Sequence, residues 1–442
     1  MMKSNRHFLT TLFIVLLLGS LVMGCAAQKE SGYSSGDGSN GMEESKQTTI
    51  EFVYWASAGG EEEGFNKLIE AFEAEHPDIK VNAQQVPSGT EYHTRMRTRI
   101  AGNDAPDVFR VQYQRIGEYA SQNALLDITD IMEDELENFN PSLLSAVTLE
   151  DRIYGLPHHT DTLAIFYNKT YLDELGITPP DTLNEAWSWE EFLDVASQIQ
   201  DAGLAEYGIA YNWVESSAYR ALPFLYHNGA SLLTDDLSEA NLQTPEAIEA
   251  ITFLQDMYTN YMSPGNSMRG SDDFNLLFTT GTAGMLVTGN WMIPRYEEEM
   301  DQYEWGVTYM TMREEAASDL GGNALAIPSN AKNIEAAKKF VAFMGDKENM
   351  KAFVEDGLFI PARLDIEEPI HYNMENPELM ELFIEQALTV PEELAKTVTH
   401  PNFARINQAL AEELEELFVM GKTPEEFANS LTDKINTILD SH

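Results

Sequence analysis

Regular patterning begins at Thr48. Residues 48 to 55, "TTIEFVYW", put Ile50, Phe52, Val53, Tyr54 and Trp55 into one short run of β-formers, which predicts a buried strand. After the turn "ASAGG", Phe65, Leu68, Ile69 and Phe72 recur at i, i+3, i+4 and i+7. Three glutamates precede them, where a helix N-terminus favours negative charge. Pro77 ends that helix and "IKVNAQQV" returns as a second strand, so the spacing predicts a βαβ unit in an α/β sheet. The alternation continues. "APDVFRV" reads as a strand, "YQRIGEYASQNAL" as a helix, and "IYGLPHHTDTLAIFYNK" as two short extended pieces around Pro157. "SWEEFLDVASQIQDAG" is helical with "YGIAY" as the strand behind it, and "TPEAIEAITFLQDMYTNYM" sets Ile248, Ile251, Leu254 and Tyr258 on one face after a Thr-Pro start. "WGVTYMTM" and "NALAIP" are strand-like, the chain from Asn333 is mainly helical, and no motif repeats at a fixed period.

Composition adds three constraints. Hydrophobic residues make up 43% and aromatic residues 10% of 442, enough core for two or three domains of ordinary size. The single cysteine, Cys25, rules out a disulfide within the chain, so stability must come from packing. Acidic residues number 73 against 27 basic ones, a formal net charge of −46. They are spread along the chain ("GEEEGF", "IMEDELENF", "AEELEEL") as a solvated acidic surface. Nucleic acid and acidic membrane surfaces are excluded as partners, and a cleft within such a field would repel strongly anionic ligands.

Cys25 stands behind Lys3, Arg6, an apolar run from Phe8 to Met23, and Gly24. Basic, apolar, small is the order of an export signal, and the run falls short of the ~20 apolar residues that a membrane span needs. The stretch "LVMGC" resembles the lipobox of bacterial lipoproteins, with Val22 and Met23 where Leu and Ala or Ser are usual. That resemblance implies a signal peptide over 1–24, lipid on Cys25, and a flexible Gly/Ser-rich tether over 25–47.

Six further stretches resemble, in order, the extracellular solute-binding proteins of family 1, the sugar-capturing lipoproteins of ABC importers. They are "EFVYWASAGGEEEGFNKLIEAFEAEHPDIKV", "GNDAPDVFRV", "IYGLPHHTDTLAIFYNK", "SWEEFLDVA", "LFTTGTAGMLVTGNWM" and "GGNALAIPSNAKNIEAAKKFVAFM". The resemblance implies a two-lobed α/β fold of the periplasmic-binding-protein kind (type II-like), each lobe an α/β sheet, joined by hinge strands. The N-terminal lobe would take 48–158 and 308–328, the C-terminal lobe 162–305 and 332–442, with crossings at "TDTLA" and "GVTYM". Its ligand would lie between the lobes, the generic place for a small-molecule pocket. The implied partners are a carbohydrate, ABC permease subunits and the membrane through the lipid anchor; the protein would be monomeric, without cofactor, metal or nucleic acid.

Sugars present flat CH faces rimmed by hydroxyls, so a site needs aromatic plates and a few planar or charged hydrogen-bonding groups. By the resemblance, Trp291 is the stacking aromatic with Asn290 beside it, and Asp161 in the first hinge segment is the carboxylate that accepts sugar hydroxyls. Trp55 and Ser57 follow the first strand, where open sheets place ligands. Arg110, Tyr113, Trp213 and Tyr219 face the cleft if the register holds. Gly321, Gly322 and Asn323 suit a hinge-adjacent turn close to ligand, and Arg363 and Phe403 are further matches.

No P-loop, CxxC or HExxH occurs, and the adjacent pair His158-His159 lacks the i, i+4 spacing of a helical zinc site. Two other classes stay open beside the binding module for neutral mono- or oligosaccharides. One is a secreted glycoside hydrolase or lyase, since the acids offer many carboxylate pairs. The other is a non-sugar binder for polyamines or phosphate esters.

Overall fold

The computed structural model describes residues 47–56 and 59–441. Three parallel strands come first among the described residues: β1 (Thr48–Tyr54), β2 (Ile79–Gln85) and β3 (Val108–Gln112). β1 pairs in parallel with both others, and the helix Gly59–Glu75 makes the first crossover, with Glu61 and Glu62 in its first turn. After a two-stranded hairpin, β4 (Thr148–Leu149) and β5 (Arg152–Ile153), come β6 (Leu156–Thr160) and β7 (Leu163–Asn168). Next are β8 (Tyr207–Tyr211), β9 (Ala283–Gly289), β10 (Trp305–Thr308), β11 (Asn323–Ala326) and β12 (Ile360–Pro361). Two main sheets result, ordered β12-β6-β11-β3-β1-β2 and β10-β7-β9-β8.

Pro157 lies inside β6 and does not divide two strands. Its missing N–H is accommodated by a register shift opposite, where β11 pairs Asn323 with His159 but Ala324 with Pro157. The break comes later, at Asp161-Thr162, and these two residues are all that separates the first sheet from the second.

The second crossing runs beside the first. Thr160 Oγ1 donates to the Gly321 carbonyl at 3.1 Å, and the hydroxyls of Thr162 and Ser318 lie 2.5 Å apart. It therefore falls at 318–322 and not at "GVTYM". The stretch before it stays with the second sheet, since Met310 N donates to Gln386 Oε1 at 2.8 Å and His227 Nε2 lies 2.9 Å from the Ala317 carbonyl.

The expected division also differs after residue 332. The helices Ile334–Gly345 and Lys347–Gly357 pack on the first lobe, and β12 extends its sheet. The cause is an apolar seam: Phe340 stands 5.3 Å from Phe52 and 5.1 Å from Phe72. The chain then crosses a third time, since Asn373 N donates to the Glu355 carbonyl and Glu375 N to Glu297 Oε1. The helix Leu379–Ala387 continues against β7. Of the remaining helices, Glu392–Thr399 packs on the first lobe, Phe403–Val419 touches both, and Pro424–Asp440 packs on Pro245–Tyr261.

Candidate ligand cleft

A cavity of about 510 Å³ opens between the two sheets, lined from both sides and from the crossing strands. The first lobe supplies Trp55 at the end of β1, Arg110 in β3, Asn323 in β11 and Phe359 before β12. The second supplies Asn212, Tyr219, Arg220, Trp291 and Arg295 from the segments after β8 and β9. Asp161 comes from the first crossing. Because strand ends and short helical turns meet here, side chains far apart in sequence converge on one space.

On the first-lobe wall, Arg110 is buried and engages partners through both terminal nitrogens. Nη1 donates to the Trp55 carbonyl, Nη2 pairs with Glu61 and lies 3.2 Å from His159 Nε2, and the guanidinium stands 4.5 Å from the Trp55 ring centre. The Asn323 amide also lies 3.2 Å from His159 Nε2. Burial, reinforced by Arg110, holds His159 neutral well below the ordinary histidine range.

Two buried carboxylates sit on the crossing strands, Asp161 at the floor of the cavity and Asp319 beneath it. Asp161 is pushed up to about 7, first by burial and then by Asp319, with Arg220 and Arg110 pulling the other way. Asp319 is pushed up to about 6 by burial, opposed by Arg220. Its Oδ1 accepts from Leu163 N at 3.3 Å, whereas Oδ2 faces Arg220 Nε at 3.9 Å. Gly321 lets Asp161 settle against the opposite strand, since a Cβ there would stand 2.0 Å from Asp161 Oδ1. Gly322 beside it has φ 95°, a conformation that favours glycine.

On the second-lobe wall, Arg220 Nη1 donates to the backbone carbonyl and the side-chain Oδ1 of Asn212 at 3.1 and 2.8 Å. Its guanidinium stands 4.8 Å from the Trp291 ring centre. Arg295, at the rim, donates through Nε to Glu299 at 2.9 Å. Each of the three lining arginines thus faces a carboxylate: Glu61, Asp319 or Glu299.

The sequence-predicted residues divide into those at the cavity and those near it. Trp55, Arg110, Asp161, Tyr219, Trp291, Gly322 and Asn323 line it. Gly321 lies beneath Asp161, and Tyr113 is buried with its hydroxyl on the His159 carbonyl at 2.9 Å. Asn290 is buried as a strut, accepting from Thr162 N at 3.1 Å and donating to the Leu358 carbonyl. Phe403 sits behind Tyr219 with ring centres 6.5 Å apart. Two residues lie elsewhere. Trp213 points into the core between Tyr211 and Phe418, its Nε1 donating to the Asn266 carbonyl at 3.0 Å. Arg363 is held in a separate first-lobe pocket by Glu135 and Asp365 at 2.7 and 2.8 Å. Ser57 and Cys25 lie outside the described residues.

Sequence reasoning missed Arg220, Arg295, Asp319 and Phe359. A signal existed for Arg220: basic residues are scarce at 27 in 442, and this one directly follows the selected Tyr219.

The profile of the family described as bacterial extracellular solute-binding protein matches residues 58–351. The chain is 24% identical over 378 residues to the arabinooligosaccharide-binding protein of Bacillus subtilis, covering 81% of each. Among solved structures it resembles an ABC substrate-binding protein of Listeria monocytogenes in complex with cycloalternan. That match has a TM-score of 0.76 and 25% identity, over 88% of this chain and 98% of that one. A solute-binding protein of Thermotoga lettingae bound with tagatose gives a TM-score of 0.77 at 24% identity, over 89% of this chain and 100% of that one. Its likeness, like that of the Listeria protein, extends over both lobes. The profile match spans well over half of the sequence, and the chain belongs to the bacterial extracellular solute-binding protein family.

Proposed function

We propose that the protein captures a neutral mono- or oligosaccharide in the interlobe cleft and passes it to the membrane subunits of an ABC importer. It does so outside the cytoplasm as a monomer, held to the cell membrane by lipid on Cys25. The observation that carries the ligand class is the charge balance of the lining. Each cleft arginine already faces a carboxylate, so the cavity offers aromatic plates and hydrogen-bonding groups without an uncompensated cation. The arabinooligosaccharide-binding relative and the cycloalternan complex support a carbohydrate ligand.

Catalysis is the weaker reading. Hydrolysis by two carboxylates needs an acid and a base ~5 to 9.5 Å apart flanking the bond. Among the described residues Asp161 is the only carboxylate lining the cavity. A thermal-shift screen over arabinotriose, maltotriose, cycloalternan and an oligouronate, followed by calorimetry, tests the proposal. Saturable, stoichiometric binding of a neutral saccharide without turnover is expected. Binding of the oligouronate alone, or release of shortened products, would overturn it. Mass spectrometry of the membrane fraction checks the anchor, and an unmodified N-terminus at Met1 would remove it.

A further inference from the structure

Little of the Trp291 ring is open to the cavity. A Cβ on Gly289 would stand 1.9 Å from Trp291 Cζ3 and 2.4 and 2.5 Å from the two ring neighbours. Those are the distances of a point directly above that carbon, so the Gly289 backbone lies flat against the six-membered ring. The Arg220 guanidinium covers the indole as well, and the residue is only 8% exposed although it lines the cavity. A sugar ring cannot stack on this indole while Arg220 stays in place.

The same arginine has a second place to go. Its hydrogen bonds run through Nη1 to Asn212, while Nε is buried with no hydrogen-bond partner among the described residues. Asp319 Oδ2 is likewise buried and unpartnered, and it faces that Nε at 3.9 Å. A charge-assisted N–H···O bond closes at ~2.8 Å, so the pair stands about one ångström short of bonding. Two buried complementary atoms that almost meet, beside a plate whose face is occupied, describe an arginine with two seats.

We infer that Arg220 is a displaceable cover on Trp291: a ligand ring takes the indole face, and the guanidinium closes on Asp319. The inference rests on the reading of the cleft as a saccharide site. It adds a selection rule, because a solute without an apolar face cannot replace the cation–π contact and leaves the cover shut. Asp319 does not line the cavity, so its part is to receive Arg220 and not to touch ligand.

Acrylamide quenching of the full chain with and without Arg220→Ala tests the cover, with Trp291→Phe counterparts isolating the Trp291 signal. Without sugar, Arg220→Ala should raise the quenching of Trp291 at least about twofold, and equal quenching would overturn the inference. With saturating arabinotriose or maltotriose, the exposed indole should become protected in Arg220→Ala, while Trp291 of the parent changes little. If the parent binds no saccharide, the saccharide reading fails, and the sugar-free comparison still decides whether Arg220 covers the indole. A crystal structure of the parent with the tightest-binding saccharide decides the exchange even if Arg220→Ala does not fold. A sugar ring on Trp291 with Arg220 Nε bonded to Asp319 Oδ2 is expected, and Arg220 still on the indole with sugar bound would overturn it.

Discussion

His158 lies with its ring centre 4.2 Å from that of Phe353 and stacks on Phe65 at 5.8 Å, and neither of its nitrogens has a hydrogen-bond partner among the described residues. Burial, with Arg110 adding to it, drives its pKa down to about 3 from an ordinary 6.5. A depressed histidine contributes stability that is complete above its unfolded pKa and is lost as pH falls below it.

His158→Phe removes that liability. At pH 5 the parent has lost about 2 kcal/mol through this ring alone, at ~1.4 kcal/mol per pH unit. The stability of His158→Phe relative to the parent should therefore rise by about 2 kcal/mol between pH 7.5 and pH 5. Urea unfolding at both pH values measures it, and a pH-independent difference would count against a buried neutral ring.

Asp161 works in the opposite direction. Its folded pKa of about 7 lies above the unfolded value, so the cost of its charge is full above pH 7 and is relieved as pH falls toward 4. Asp161→Asn should thus be the more stable protein at pH 8, by on the order of 4 kcal/mol, and lose that advantage by pH 4. Melting curves across this range check it; a parent more stable than the variant at pH 8 would contradict the assignment.

Trp291→Ala should weaken saccharide binding about thirtyfold, since truncating an aromatic hot spot costs ~2 kcal/mol or more. Calorimetric titration and a melting curve on the same variant separate the plate from a packing residue. A folded variant that binds within threefold of the parent removes Trp291 from the site.

For Asn290 the expected defect is in folding. Its amide satisfies Thr162 N on one side and the Leu358 carbonyl on the other, both buried. Asn290→Ala leaves two backbone groups unpartnered, at ~1 to 3 kcal/mol each. Denaturant unfolding should show a loss of at least about 2 kcal/mol, with affinity of the folded protein within threefold of the parent. Intact stability with abolished binding would return Asn290 to the ligand.

Much of the fold was legible because its signals are local. The run from Ile50 to Trp55, the periodicity from Phe65 to Phe72 and the Thr244-Pro245 start all appear where expected, as β1 and as helices Gly59–Glu75 and Pro245–Tyr261. Lobe membership after residue 332 was not, because the seam joining Phe340 to Phe52 and Phe72 spans almost 300 residues. Trp213 was misplaced for the same reason: Phe418, which covers it, arrives two hundred residues later. Asp319 has no local motif at all. Its role comes from where the second crossing falls, and that was expected ten residues earlier. The acid surplus describes the surface and says little of a lining where three arginines gather against one carboxylate.

The passages between the lobes bear on how the halves can move. Two adjacent strands, tied by Thr160 to Gly321 and by Thr162 to Ser318, make a ribbon that by itself could both bend and twist. The passage between Asn373 and Glu375 attaches the lobes again at a separate point, like a second hinge on the edge of a door. The chain then returns to the first lobe with Glu392–Thr399, lies on both with Phe403–Val419 and continues on the second with Pro424–Asp440, so the halves are laced together well beyond one hinge line. Any movement of the cavity walls must therefore carry these later helices with it, and Phe403, behind Tyr219, ties the second-lobe wall to the helix that packs on both lobes.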